Sequence, residues 1–213
     1  AQNTEAGINS GGIIIASSNS SFVNNKIGVK FNKYQNYIPA PSGKKPYYPN
    51  LSSFTGCTFS ADGLYPFVDP PTLVSFIECN GVTFSQCTFQ SNNAPNLLNS
   101  LSIGIKSIDS RFTVMDNSSF MNLWHGIDAV RSGANQPFWV FETTFENNQT
   151  GIAAKGITGL KVQNNIFSIG GNLNTAYPVN AGISLDNCTG YIIEENQFNG
   201  SGSNVKYGIM IYN

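Results

Sequence analysis

Apolar and polar residues alternate in short bursts along this chain, and the bursts recur. Seven eleven-residue windows, each ending on phenylalanine, align without a gap: GIIIASSNSSF to Phe22, PNLSSFTGCTF to Phe59, CNGVTFSQCTF to Phe89, SRFTVMDNSSF to Phe120, NQPFWVFETTF to Phe145, ITGLKVQNNIF to Phe167 and CTGYIIEENQF to Phe198. Two positions before each phenylalanine stands a small polar residue or cysteine: Ser20, Cys57, Cys87, Ser118, Thr143, Asn165 and Asn196. Farther back, Val82 and Phe84, Phe138 and Val140, Leu160 and Val162, or Tyr191 and Ile193 place apolar side chains at alternate positions. That is the period of a β-strand with one buried face.

Turns rich in Asn follow the phenylalanines, as at Asn24-Asn25, Asn92-Asn93 and Asn147-Asn148, and a second signature comes after them. Glycine precedes a β-branched residue at Gly7-Ile8, Gly28-Val29, Gly104-Ile105, Gly126-Ile127, Gly151-Ile152, Gly182-Ile183 and Gly208-Ile209. Successive phenylalanines lie 37, 30, 31, 25, 22 and 31 residues apart, which suits a coil of ~22 residues with three short strands and loops of variable length. So short a coil leaves no room for a crossover helix. The expected fold is all-β: a right-handed parallel β-helix of about seven to eight three-strand coils, forming a single domain over residues 1–213 with long loops toward the N-terminal side. Coils stacked ~4.8 Å apart place each phenylalanine over the last. A β-sandwich with long meanders is the rival architecture, but it needs no sevenfold column.

Composition agrees with columns. Only 11% of the 213 residues are charged, 11 Lys and Arg against 12 Asp and Glu, while 28 Asn and 23 Ser supply polarity. Asn suits repeated turns because its short amide tolerates left-handed backbone and bonds nearby main chain. Disordered sequence would not hold 12% aromatic residues in register. A net charge of -1 gives no basic field for nucleic acid, and no apolar run approaches the ~18–20 residues of a bilayer span. Neither a nucleic-acid partner nor membrane insertion is expected.

Phrases such as FTGCTF, FSQCTF and FENNQTGI resemble rungs of the right-handed parallel β-helix superfamily that contains pectate lyases and related polysaccharide-active proteins. They are most similar to rungs of large secreted or surface proteins of Bacteroidetes-type bacteria. The resemblance covers almost the whole chain and implies a secreted or cell-surface location, yet its motifs specify rungs and not chemistry.

Two loops, 32–50 and 61–72, are rich in Pro and Tyr. Tyr34, Tyr37, Tyr47, Tyr48, Tyr65 and Phe67 are candidates for an aromatic platform that stacks on sugar rings, set against the alternative that they pin long loops to the solenoid flank. Both ends of the sequence read as cut from a longer protein, since neither carries a polar cap. Cys57 and Cys87 share a column in consecutive coils, with Cα atoms ~5 Å apart and so within disulfide range; a bond is the alternative to stacked free thiols, which are expected because in-register Cβ vectors stack better than they bridge. Cys79 and Cys188 share another column, but four coils put ~19 Å between them. With one His and no CxxC, neither a metal site nor a cofactor is expected.

The candidate chemistry gathers on two consecutive Gly-Ile strands, at Lys106, Asp109, His125, Asp128 and Arg131. A glycosidase needs two carboxylates ~5–5.5 Å or ~6.5–9.5 Å apart, whereas Asp109 and Asp128 are three positions out of step and one coil apart, ~11 Å. Stacking offers the simpler account: Lys106 over Asp128 and Asp109 over Arg131, as opposite-charge ladders. The Asp-Asp, Gly-His-Gly and Arg-x-Lys elements of polygalacturonase-like proteins are missing. The expected function is therefore a non-catalytic scaffold or adhesin-like segment presenting loops. Its expected partners are other domains of a longer protein, neighbouring surface proteins or polysaccharide. The alternatives are a polysaccharide lyase or glycoside hydrolase using the charged face, and a carbohydrate-binding module using the tyrosines.

Overall fold

The computed structural model describes residues 6–10, 13–32, 52–92, 101–170, 180–200 and 206–212. These form a right-handed parallel β-helix in which the chain visits three sheets in turn. The first sheet holds β1 (Ala6–Ser10), β4 (Ile27–Phe31), β7 (Thr72–Ile77), β10 (Ile103–Ile108), β13 (His125–Val130), β16 (Thr150–Lys155), β19 (Asn180–Asp186) and β22 (Lys206–Tyr212). The second runs from β2 (Ile15–Ala16) through β5 (Ser53–Thr55), β8 (Asn80–Ser85), β11 (Arg111–Met115), β14 (Trp139–Phe141) and β17 (Lys161–Gln163) to β20 (Ile192–Glu194). The third comprises β3 (Ser21–Val23), β6 (Thr58–Asp62), β9 (Thr88–Asn92), β12 (Ser119–Met121), β15 (Thr144–Glu146), β18 (Ile166–Ile169) and β21 (Gln197–Gly200). Seven complete coils and one further strand result, and the pairings between strands are parallel.

The seven phenylalanines form one stack. From Phe22 through Phe59, Phe89, Phe120, Phe145 and Phe167 to Phe198, neighbouring ring centroids lie 4.4–4.9 Å apart with planes 4–10° from parallel. Each interior ring removes apolar surface from water on both faces, at roughly 25 cal/mol per Å². Phe54 on Phe84 in the second sheet, and Phe112 on Phe138 just before β14, make shorter stacks.

The glycine signature and the phenylalanine signature are two halves of one contact. A Cβ at Gly104, Gly126, Gly151 or Gly182 would stand 2.4–2.7 Å from the carbonyl oxygen of the next glycine in the column, and 2.7–2.9 Å from the ring of Phe120, Phe145, Phe167 or Phe198 in its own coil. The third sheet thus turns into the first so closely that only a hydrogen fits between ring and backbone. In β7 Leu73 takes the glycine's place and is itself buried.

Corners repeat as strictly as strands. Positive φ recurs just after strands of the second sheet, at Gly56, Gln86, Glu142, Asn164 and Glu195, and just after strands of the first sheet at Glu78, Asp109, Gly156 and Asn187. Asn24, Asn122 and Asn147 do the same after the third sheet. The seats the sequence assigns to Asn are thus shared with Gly, Asp, Glu and Gln. The Asn that follows the corner is buried at Asn25, Asn148 and Asn165: Asn148 accepts from Leu123 N–H at 2.9 Å and donates to Phe120 O at 3.0 Å. Asn165 accepts from Thr143 N–H at 2.9 Å and donates to Val140 O, Gln163 O and Asn196 Oδ1.

All four cysteines are free and buried. Each thiol donates to a main-chain carbonyl of the preceding coil: Cys57 to Ser17, Cys87 to Phe54, Cys79 to Asn32 and Cys188 to Ala154. The two in-register thiols therefore lie one above the other without bridging. Burial pushes the Cys87 thiol up to about 12.

Candidate functional site

Two corners carry the insertions and the third carries none. Between the second and third sheets the chain needs at most residues 17–20, three residues at 116–118, and elsewhere only pairs such as 56–57, 86–87, 142–143 and 195–196. Residues 32–52 and 131–138 are inserted between the first sheet and the second, and residues 63–71, 93–102 and 170–179 between the third sheet and the first. Every long connection thus borders the first sheet, whose outer face carries the candidate charges.

On β10 and β13, Ile105, Ser107, Ile127 and Ala129 point inward and are buried, so Lys106, Ile108, Asp128 and Val130 point outward. One outward column runs Lys30, Ser75, Lys106, Asp128, Ala153, Ser184, and its neighbour runs Ile77, Ile108, Val130, Lys155, Asp186, Tyr212. The register expected from the sequence is present, with Lys106 opposite Asp128. Among the described residues, however, neither expected ladder closes as an ion pair. Asp128 Oδ2 lies 3.9 Å from His125 Nδ1 on its own strand, and the His125 imidazole stacks on Trp124 at 4.1 Å.

Asp109 departs further from the expectation. It stands at a corner with φ 49°, and its Oδ1 accepts from Ser132 N–H at 2.8 Å and Gly133 N–H at 3.0 Å. Arg131 Nε donates to Gly133 O at 3.2 Å. Both residues therefore organise the 131–138 connection. A side chain at a corner finds main-chain donors nearer than the charge across the coil, and main-chain bonds cost less side-chain entropy than a long ion pair. The ladder forms one column over: Lys155 Nζ meets Asp186 Oδ2 at 2.6 Å, and this carboxylate raises the Lys155 pKa by hydrogen bonding and charge. Its signal was in the sequence, because Lys155 and Asp186 each stand four residues after the glycine of their strand.

Asn135, which sequence reasoning passed over, holds the same connection to the next coil. Its amide donates to Thr158 O at 3.0 Å and accepts from Thr158 N–H at 2.9 Å, replacing a strand with one side chain. Thr158 in turn bridges Thr189.

Of the aromatic candidates, Tyr34, Tyr37, Tyr47 and Tyr48 lie outside the described residues. Tyr65 is half-buried, with its hydroxyl donating to Asp69 O at 2.8 Å and its ring meeting Phe67 edge-on at 5.4 Å. Burial, then the charge of Asp69, pushes its phenol up to about 12. Asp69 also pairs with Lys26 at 2.7 Å, so the 63–71 connection is tied to itself and to the coil beneath it.

The face brings one imidazole, one carboxylate and one ammonium together, while the second carboxylate is engaged by backbone. Among the described residues no cluster of three metal-ligating side chains occurs. No protein-family model matches this chain, and no curated protein or solved structure is significantly similar to it.

Proposed function

We propose that this protein is a non-catalytic β-helical scaffold, secreted or displayed at a cell surface, whose column carries variable connections to neighbouring domains, surface proteins or polysaccharide. One observation carries this reading: all long connections border the first sheet, while the opposite corner stays tight in every coil. A rigid rod that varies along one side presents that side. The rung phrases that resemble large surface proteins of the pectate-lyase-like superfamily support the same reading. The charged residues on that side support it too, since Asp109 and Arg131 hold loop backbone.

A second reading, a polysaccharide lyase or glycoside hydrolase, is favoured by His125 within 3.9 Å of Asp128, with Lys106 opposite. A carboxylate next to an imidazole orients it for proton transfer. A panel of acidic and neutral glycans, incubated with the wild type and with an Asp109→Asn/Asp128→Asn double variant, separates the two. The scaffold reading expects no cleavage by either protein; cleavage by the wild type that the double variant loses would replace it with the enzyme. Glycan-array binding that disappears in a Tyr47→Ala/Tyr48→Ala variant would make carbohydrate the partner of the loops.

A further inference from the structure

Glycine follows asparagine at Asn80-Gly81 and at Asn199-Gly200. Such a pair carries chemistry of its own, because no side chain on the glycine keeps its nitrogen away from the carboxamide carbon of the asparagine. The two settings differ. Asn199 Oδ1 accepts from Gln197 Nε2 at 3.1 Å, and Gly200 stands in register with Ile169. Asn80 and Gly81 instead lie where the ladder between β8 and β11 slips: Asn80 is opposite Arg111 and Val82 is opposite Phe112, so Gly81 is an extra residue. Its φ is 82°.

This bulge decides which side chain Asn80 has for a neighbour. Val82 and Phe84 are buried, and strict alternation would turn Asn80 inward with them. The extra residue resets the alternation. Asn80 is half-buried and pairs with Arg111, itself half-buried next to the buried Phe112. Arg111 Nε is shielded from solvent and has no hydrogen-bond partner among the described residues. A guanidinium placed so gains most from an acceptor of opposite charge, which a carboxylate at position 80 would supply and a neutral amide does not.

We propose that Asn80 is a site of spontaneous covalent modification, at which the chain converts its own amide to a carboxylate that Arg111 receives. The Gly81 nitrogen attacks Asn80 Cγ and a C–N bond forms. The carboxamide nitrogen leaves as ammonia, taking up the proton that the Gly81 nitrogen gives up, and a five-membered imide remains. Water then opens the imide: cleavage at Cγ gives aspartate, and cleavage at the main-chain carbonyl gives isoaspartate, with one methylene more in a backbone that already bulges there. One water is consumed and one ammonia released, and no oxidant or cofactor enters. The outer face of the second sheet becomes one charge more negative. This chemistry is independent of the scaffold reading and lies on a different sheet from Lys106, His125 and Asp128.

The test holds the intact, folded protein in mildly alkaline buffer at body temperature and maps its peptides by mass over time. The peptide containing Asn80 is expected to gain the mass of an amide-to-acid exchange, in aspartate and isoaspartate forms. An Asn80→Gln variant, which must close a six-membered ring, should lose ammonia at that position at least ~tenfold more slowly. Thermal melting reads the role of Arg111: Asn80→Asp should raise the midpoint by ~2–4 °C, and the gain should vanish in an Arg111→Gln background. An unchanged Asn80 peptide while Asn199 converts, or equal conversion in Asn80→Gln, overturns the site. A midpoint that Asn80→Asp does not raise, or raises equally without Arg111, overturns the pairing. If Arg111→Gln does not fold, the mass map and the Asn80→Asp midpoint decide.

Discussion

The seam where the rings of the third sheet meet the glycines of the first, and the 131–138 connection from the first sheet to the second, obey opposite rules. Along the seam, Phe120, Phe145, Phe167 and Phe198 each press on a glycine of their own coil with no space for a methyl group. On that connection, Gly133 sits where an added Cβ would stand an ordinary 3.5 Å from Asp109 Oδ2. The seam is held by close packing repeated in the coils of Gly104, Gly126, Gly151 and Gly182, whereas the connection is held by the hydrogen bonds of Asp109, Arg131 and Asn135.

Substitution at the two glycines breaks the comparison most sharply. Gly151→Val drives a side chain into Gly182 O and the Phe167 ring, and is expected to cost about 3 kcal/mol or to prevent folding. Gly133→Ala should stay within about 0.5 kcal/mol; urea denaturation reads both, and equal losses would refute the distinction. Phe120→Ala, which opens a gap in the middle of the ring stack, should cost about 3 kcal/mol by the same measurement. Asn165→Ala deprives Thr143 N–H of its acceptor inside the protein and should cost about 2 kcal/mol. Asn135→Ala, whose two bonds lie at an exposed connection, should cost no more than about 1 kcal/mol.

The last comparison is a pH dependence. Cys87 has its pKa raised from 9.0 to about 12 by burial, so above pH 9 the unfolded chain gives up a proton that the folded chain keeps. Stability from this group is therefore complete below pH 9 and declines as pH rises toward 12. Denaturation midpoints compared between the wild type and Cys87→Ser should converge over that window. At neutral pH a thiol reagent should label none of the cysteines before unfolding, because all four are buried.

The coil, the phenylalanine column, the paired thiols and the Lys106–Asp128 register were all legible from spacing, since a stacked solenoid copies sequence offset into spatial neighbourhood. The candidate site was legible only as a location. Lys106 and Asp128 share the outer face that their offsets imply, with His125 3.9 Å from Asp128, but the offset of Asp109 says nothing of φ 49° or of two N–H groups within reach of its carboxylate. Corner side chains choose among backbone partners contributed by neighbouring turns, and that choice depends on atomic positions that periodicity does not encode.

By itself the sequence determined that the chain coils, how many times, and which residues meet in columns, because a parallel repeat turns a one-dimensional period directly into contacts. Only the tertiary structure decided why glycine and phenylalanine recur together, where the opposite charges pair, and which side of the rod carries every insertion. Those outcomes depend on how closely two sheets approach at a corner and on where a side chain finds its nearest partner, distances that exist only once the coils have stacked.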